Sequence, residues 1–201
     1  MGATQEPIMP QDHSTTLATA RADLDRLQQI HAFNLQLLNA LPHRQYNHEP
    51  ILDYATDERV KARLGWLGVF SKTLFLRFKD GRFALLLTHR EGRLDARTVR
   101  AHLGASPSIC DPAEMQQETG CLPGALCPFL PRPDIPLLVD PALLTHSAFT
   151  WTPGLPDVTL ELDSETLPIL LARLTNQVIY LHDNGVAKSI DPCAAQPDIK
   201  G

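Results

Sequence analysis

Apolar and polar positions alternate with two different periods along this 201-residue chain. Over residues 14–41, Leu17, Leu24, Leu27, Ile30, Leu38 and Leu41 recur at near-helical spacing until Pro42. That pattern predicts one long amphipathic helix whose stripe packs into the core or against a partner subunit. YNHEPI (46–51) reads as an extended lead-in, because Pro50 biases Glu49 away from helix. A shorter helix over 56–64 is closed by Gly65. In FSKTLFLRFKDGRFALLLTHREGRLD (70–95), Leu74, Leu76 and Phe78 alternate with Phe75 and Arg77, Asp80-Gly81 marks a tight turn, and 83–87 returns as a buried strand. The segment is a β-hairpin. Asp95 caps a helix that runs to about 103 and closes at Gly104. Asp111-Pro112-Ala113-Glu114 supplies an N-cap, a proline at the first helical position and a capping acid for a helix ending at Gly120. Strands follow at 135–140, 147–151, 158–162 and 177–182, with a helix over 164–174. Strands and helices interleave without a regular βαβ rhythm, so an α+β fold with a mixed sheet is expected rather than a doubly wound one.

Composition narrows the class. A chain that is 43% hydrophobic and 20% charged fits one globular domain with end extensions. The organisation expected is a loose terminus (1–13), the long helix (14–45), a domain (46–183) and a loose tail (184–201). No apolar run approaches the roughly 20 residues that span a bilayer, and MGATQEPIMPQDHS lacks the features of a secretory signal, so the cytoplasm is the expected location. Cys110, Cys121, Cys127 and Cys193 show no CxxC spacing, which argues against a disulfide scaffold or a zinc hook. A net charge of −5 argues against a protein that coats nucleic acid indiscriminately. Residues 77–100, however, hold seven Lys or Arg against three acids, enough to meet a phosphate backbone at a few points.

The common catalytic signatures are missing: GxSxG, HExxH, a Walker loop and a GxGxxG after a strand. Cys127, between Leu126 and Pro128, reads as a structural thiol, and His48, His89, His102, His146 and His182 have no metal-binding spacing. Two features remain. Lys72 stands at the head of the hairpin, and GCLPGALCPF (120–129) forms a rigid turn in which Gly124 permits close backbone approach and Pro128 fixes the exit. Taken alone, each also has an ordinary reading, as a solvated cation and a plain connection.

Taken in order, HEP (48–50), SKTLFLRFKDGRFALLLT (71–88), RLDARTVRAHLGA (93–105), EMQQETGCLPGALCPF (114–129), LLVD (137–140) and VTLELDSETL (158–167) resemble the YbaK/prolyl-tRNA-synthetase-associated domain family. The resemblance implies an α+β fold with a mixed, curved, barrel-like sheet surrounded by helices. It implies hydrolysis, in trans, of the ester that joins a wrong amino acid to a tRNA 3′ end, with no cofactor or metal and the RNA's own 2′-hydroxyl orienting the water. By that likeness Lys72 holds the terminal nucleotide or the carbonyl, and the element from Gly124 to Pro128, with Ala125, Leu126 and Cys127, holds the aminoacyl end through its backbone. Thr73 and Thr152 stand where alanine-editing members carry asparagine and histidine; Thr73 joins the substrate-binding set, and residues around Thr152, Leu155 and the 124–128 loop shape side-chain preference. His48 and Asp157 join the substrate-binding set. The implied partners are the 3′ end of an aminoacyl-tRNA and an aminoacyl-tRNA synthetase, with a homodimer through the N-terminal helix. The alternative is a non-catalytic binding or regulatory module for a tRNA end or an aminoacyl-adenosine-like ligand, and a third reading is a protein-interaction role for the long helix.

Overall fold

A computed structural model describes residues 13–182; the two end segments expected to be loose otherwise lie outside the described residues. The elements are α1 (His13–Leu37), β1 (Arg44–Asn47), α2 (Tyr54–Leu64), β2 (Val69–Arg77), β3 (Phe83–His89), α3 (Ala96–Leu103), β4 (Ser108–Ile109) and α4 (Pro112–Thr119). They continue with β5 (Leu137–Val139), β6 (Ala148–Trp151), β7 (Val158–Asp163), α5 (Leu167–Leu171) and β8 (Val178–Tyr180). No helix among the described residues is long and apolar enough to cross a membrane.

The strands make one mixed eight-stranded sheet in the order β1-β7-β6-β2-β3-β5-β8, with β4 beside β2. β1 and β8 end the path, so the α+β class holds while the sheet stays open rather than closing as a barrel. β3 is buried on both faces from Ala84 to Thr88, which is why it reads as an unbroken apolar run. One face packs Phe75, Leu85 and Leu87 with Ile30 and Leu37 of α1 and with Leu38 just beyond it. The other packs Leu76, Phe78 and Leu86 with Val99 of α3.

The helix ends follow their capping chemistry. Asp53, Asp95 and Asp111 accept main-chain N–H bonds at the starts of α2, α3 and α4, and Gly65, Gly104 and Gly120 close them in the left-handed conformation. Glu114 does not complete a capping box; its carboxylate accepts from Arg77 at 3.1 Å and from the Cys110 thiol. α1 stops four residues short of the expected Leu41. Arg173 Nη1 captures the carbonyls of Leu37 and Asn39 at 2.6 and 2.7 Å, and Ala40 turns the chain at φ 61°. The helix expected at 164–174 becomes a 3-10 turn followed by the short α5, whose Pro168 has no N–H to give.

Two buried polar side chains tie these layers together. Glu161 of β7, its side chain fully buried, accepts from Arg44 Nη1 (2.6 Å), Tyr46 OH (3.4 Å) and the main-chain N–H groups of Leu67 and Gly68 (both 2.8 Å). It fixes the approach to β2 from three directions. Asn34 of α1, 1% exposed, donates to Ile30 O and Phe129 O (both 2.9 Å) and accepts from Trp151 Nε1 (3.1 Å), with the Cys127 sulfur at 3.3 Å. The C-terminal half of α1 is therefore part of the core, pinned to the 120–129 loop and to β6.

Glu161→Ala leaves the buried Gly68 N–H and the part-buried Leu67 N–H without their acceptor, so unfolding in urea should show a loss of about 1–3 kcal/mol for the buried group, against a smaller loss for Glu161→Gln. Asn34→Leu keeps volume but orphans Trp151 Nε1 and Phe129 O. Its expected cost is about 1–3 kcal/mol per group, measured in the same way.

Candidate functional site

β2 is where the sheet divides. It pairs with β3 from Ser71↔His89 to Arg77↔Phe83. On its other edge it pairs in parallel with β6 only at Val69 and Phe70, and antiparallel with β4 only at Leu76 and Arg77. Between these points no strand of the described residues lies beside it. Register decides which groups face the gap. Arg90 N–H donates to Phe70 O and Phe78 N–H to Arg82 O, both at 2.9 Å, so even-numbered residues bond to β3 and odd-numbered ones point away. Phe75 O accordingly accepts from Cys110 N–H at 2.9 Å, across the β4 edge. Thr73 lies in the middle of the gap, with its N–H and C=O turned to an edge that has no strand to receive them.

A cavity of about 410 Å³ opens at that edge. Its walls are Ser71 to Leu74 of β2, the segment from Ile51 to Tyr54 with Asp57 of α2, Gly124 and Leu126 of the glycine-proline loop, and Trp151 with Thr152 after β6. A smaller chamber of about 80 Å³ adjoins it, reaching Phe70, Thr150 and Thr159. The size suits a small-molecule end rather than a macromolecular surface.

Each wall has a physical cause. Lys72 Nζ donates to the carbonyls of Arg90 (2.9 Å) and Gly92, which leaves one of its three N–H groups for the cavity it lines. The ammonium is held in place by main chain and not by a carboxylate. Gly124, at φ +86°, packs so closely on Leu52 that a Cβ there would lie 2.9 Å from the Leu52 carbonyl carbon and 3.1 Å from its Cα. Close approach at this glycine therefore joins two loops of the protein. Trp151 is held by Asn34 and packs its ring on Phe129 (5.4 Å) and Phe149 (5.2 Å). Tyr54, about half exposed at the mouth, carries the Arg90 guanidinium 4.4 Å from its ring centre.

The residues named from sequence divide into two groups. Lys72, Thr73, Gly124, Leu126 and Thr152 line the cavity. Thr152 turns its hydroxyl to Leu155 O at 2.9 Å. Ala125, Cys127 and Pro128 are buried behind the wall, and burial drives the Cys127 thiol well above its ordinary pKa, so it sits there as a neutral packing group. His48 lies outside the cavity, its Nε2 2.9 Å from the Thr159 hydroxyl that lines the smaller chamber. Asp157 lies on the surface, where its carbonyl accepts from His48 N–H at 2.9 Å.

Sequence reading missed Asp57, Tyr54, Trp151 and Asn34. A signal existed for three of them: Asp53 stands as an N-cap before α2, which puts Tyr54 and Asp57 one turn apart on one face. Asn34 is the polar residue in an otherwise apolar stripe between Ile30 and Leu38, a position that asks for a buried partner.

The sequence profile described as the aminoacyl-tRNA editing domain matches residues 53–168, more than half of the chain and every wall of the cavity except Ile51 and Leu52. No curated protein matches the chain significantly. Among solved structures, one described as a candidate trans-editing enzyme for prolyl tRNA synthetase superposes with a TM-score of 0.57 at 21% identity, covering 76% of this chain and 97% of its own. A hypothetical protein superposes with a TM-score of 0.59 at 22% identity, covering 71% of this chain and 94% of its own. At such identities the likeness is one of fold. The matched span, with the mixed sheet and its divided central strand, places the chain in the aminoacyl-tRNA editing domain family.

Proposed function

We propose that the protein is an aminoacyl-tRNA deacylase acting in trans, and that the cavity beside Thr73 holds the 3′-terminal aminoacyl-adenosine. The observation that carries this reading is the conjunction of the unpaired β2 edge, the tethered Lys72 ammonium and the Gly124 to Leu126 wall around one open cavity.

An aminoacyl ester is already activated, so a site needs chiefly to position it, admit water and stabilise the oxyanion. Water adds to the ester carbonyl, the oxyanion forms, and its collapse expels the ribose 3′-oxygen, which leaves as a hydroxyl. The Thr73 N–H and the remaining N–H of Lys72 supply donors for the oxyanion, and their fixed positions cost no reorganisation during the reaction. Tyr54 offers the ring face not covered by Arg90 for stacking of the terminal base, a mode suited to single-stranded RNA ends. The substrate's 2′-hydroxyl orients the water, which explains a cavity without a histidine among its walls. Gly124, with Pro128 fixing the exit of its loop, holds the aminoacyl end. Such an activity belongs in the cytoplasm beside a synthetase. Self-association through α1 has its exposed Leu24 and Leu35 to use, since Leu27, Ile30, Leu37 and Leu38 are spent on the core.

The test is a panel of tRNAs charged with labelled cognate and non-cognate amino acids. At least one mischarged species should be cleared above background. Lys72→Met should reduce kcat/KM on it by roughly 10²-fold, with an unchanged circular dichroism spectrum. Equal rates for the two proteins would remove Lys72 from the mechanism. Retained tRNA binding without turnover of any species would replace the enzyme by a binding module.

A further inference from the structure

Two carboxylates line the cavity, and they differ in how they are used. Asp53 is occupied: its oxygens accept from Thr56 N–H (2.8 Å) and from the Thr56 hydroxyl (3.0 Å) at the start of α2. Asp57, one turn later, accepts no side-chain hydrogen bond and forms no ion pair among the described residues. It stands where the main cavity meets the smaller chamber, and it lines both together with Ser71, Gly124 and Thr152.

The charged groups around Asp57 do not neutralise it. Glu58, Lys61 and Asp53 flank it on its own helix, and Arg90 approaches from the end of β3. Arg90 is itself engaged, paired with Glu58 and stacked over Tyr54 and Phe70 at 4.4 and 5.2 Å. Lys61 donates to Gly68 O at 3.0 Å, and among the described residues neither it nor Lys72, on the same cavity wall, forms an ion pair with Asp57. Burial pushes the Asp57 carboxyl up to about 6, with Arg90 acting against that rise. A partly desolvated carboxylate without a partner is an uncompensated charge, and it is stabilised by whatever cation enters the space beside it.

We infer that Asp57 receives the α-ammonium group of the aminoacyl ester, so that the cavity selects a free amine over an N-acylated aminoacyl end. The inference rests on the reading of this cavity as an aminoacyl-end site. It goes further by assigning the feature of the ligand that is recognised and by excluding a class of substrates, the peptidyl and N-blocked tRNAs, which carry the same ester but no cation. Asp57 acts as a binding group in this account, and the water needs no proton acceptor from it.

The experiment compares a tRNA bearing a free amino acid with its N-acetylated counterpart, for wild type and Asp57→Asn, in single turnover. Wild type should prefer the free amine by at least about tenfold. Asp57→Asn should lose about that factor on the free form and keep its rate on the acetylated form. Equal losses on both forms would make Asp57 a structural or chemical group and overturn the inference, as would discrimination that survives the substitution.

Binding separates this outcome from failure of the deacylase reading. Adenosine bearing the amino acid through a 3′-amide, which is not hydrolysed, is titrated calorimetrically with and without an N-acetyl group. A preference for the free amine that Asp57→Asn removes supports the inference even when no ester is cleaved. Equal affinity of wild type for the two analogues overturns it even when esters are cleaved.

Stability supplies a readout independent of substrate. The folded carboxyl titrates near 6 and the unfolded one near 3.8, so the folded state holds the extra proton between these values. Wild type therefore loses stability from this group as pH rises through that window. Asp57→Asn removes the loss and should raise the melting temperature relative to wild type more at pH 7.5 than at pH 4. A variant that is less stable than wild type at pH 7.5 would reveal a native partner for the carboxylate and remove the premise.

Discussion

A strand with one partner on one edge and two different partners in succession on the other cannot keep that second edge filled. β2 meets this constraint at its centre. β6 runs parallel to its first residues and β4 antiparallel to its last, and the two approach from opposite directions. The interval left between them, around Thr73, exposes main-chain groups that the rest of a sheet would consume. An edge of this kind is a liability in most proteins. Here the α2 approach, the glycine-proline loop and Trp151 wall a cavity of small-ligand size beside it.

The surrounding structure holds that opening at a fixed width. Glu161 anchors the chain at Leu67 and Gly68 just before β2 begins, and Asn34 anchors Trp151 and the segment after Cys127 on the opposite side. Both are buried polar groups whose partners come from distant parts of the sequence, so each contributes to position as well as stability. Lys72 is arranged on the same principle: its ammonium rests on two carbonyls of the turn after β3, which sets its direction before any substrate arrives. Preorganised donors of this sort are what the proposed hydrolysis of an aminoacyl ester calls for.

Much of the fold could be read in the residues. The hairpin at Asp80-Gly81, the aspartate N-caps at Asp95 and Asp111 and the three glycine C-caps are local signals, written within a few positions of the elements they bound, and the structure shows them as expected, whereas the Asp53 cap of α2 went unread. The end of α1 and the brevity of α5 were not legible, because Arg173 reaching back to Leu37 and Asn39 is a tertiary event. β4 was missed for a related reason: two residues have no period, and only contact with β2 makes them a strand.

The site divided along the same line. Lys72 and Gly124 could be found by motif, whereas Asp57 and Asn34 gain their meaning from what lies opposite them in space. Within the GxxxP element, sequence could not distinguish Leu126, which lines the cavity, from Ala125 and Cys127, which face inward. That distinction depends on which way a turn without regular periodicity presents each side chain.

The seam between Gly124 and Leu52 is made by main chain on both sides. Its fit depends on the absence of a side chain at one position and is indifferent to the identity of the side chain at the other. The frame of the opening is thereby insulated from drift at Leu52, while Leu126, Thr152 and Tyr54 project from that frame and remain open to exchange. A lineage built on such a seam can retune what it accepts one side chain at a time without rebuilding the doorway.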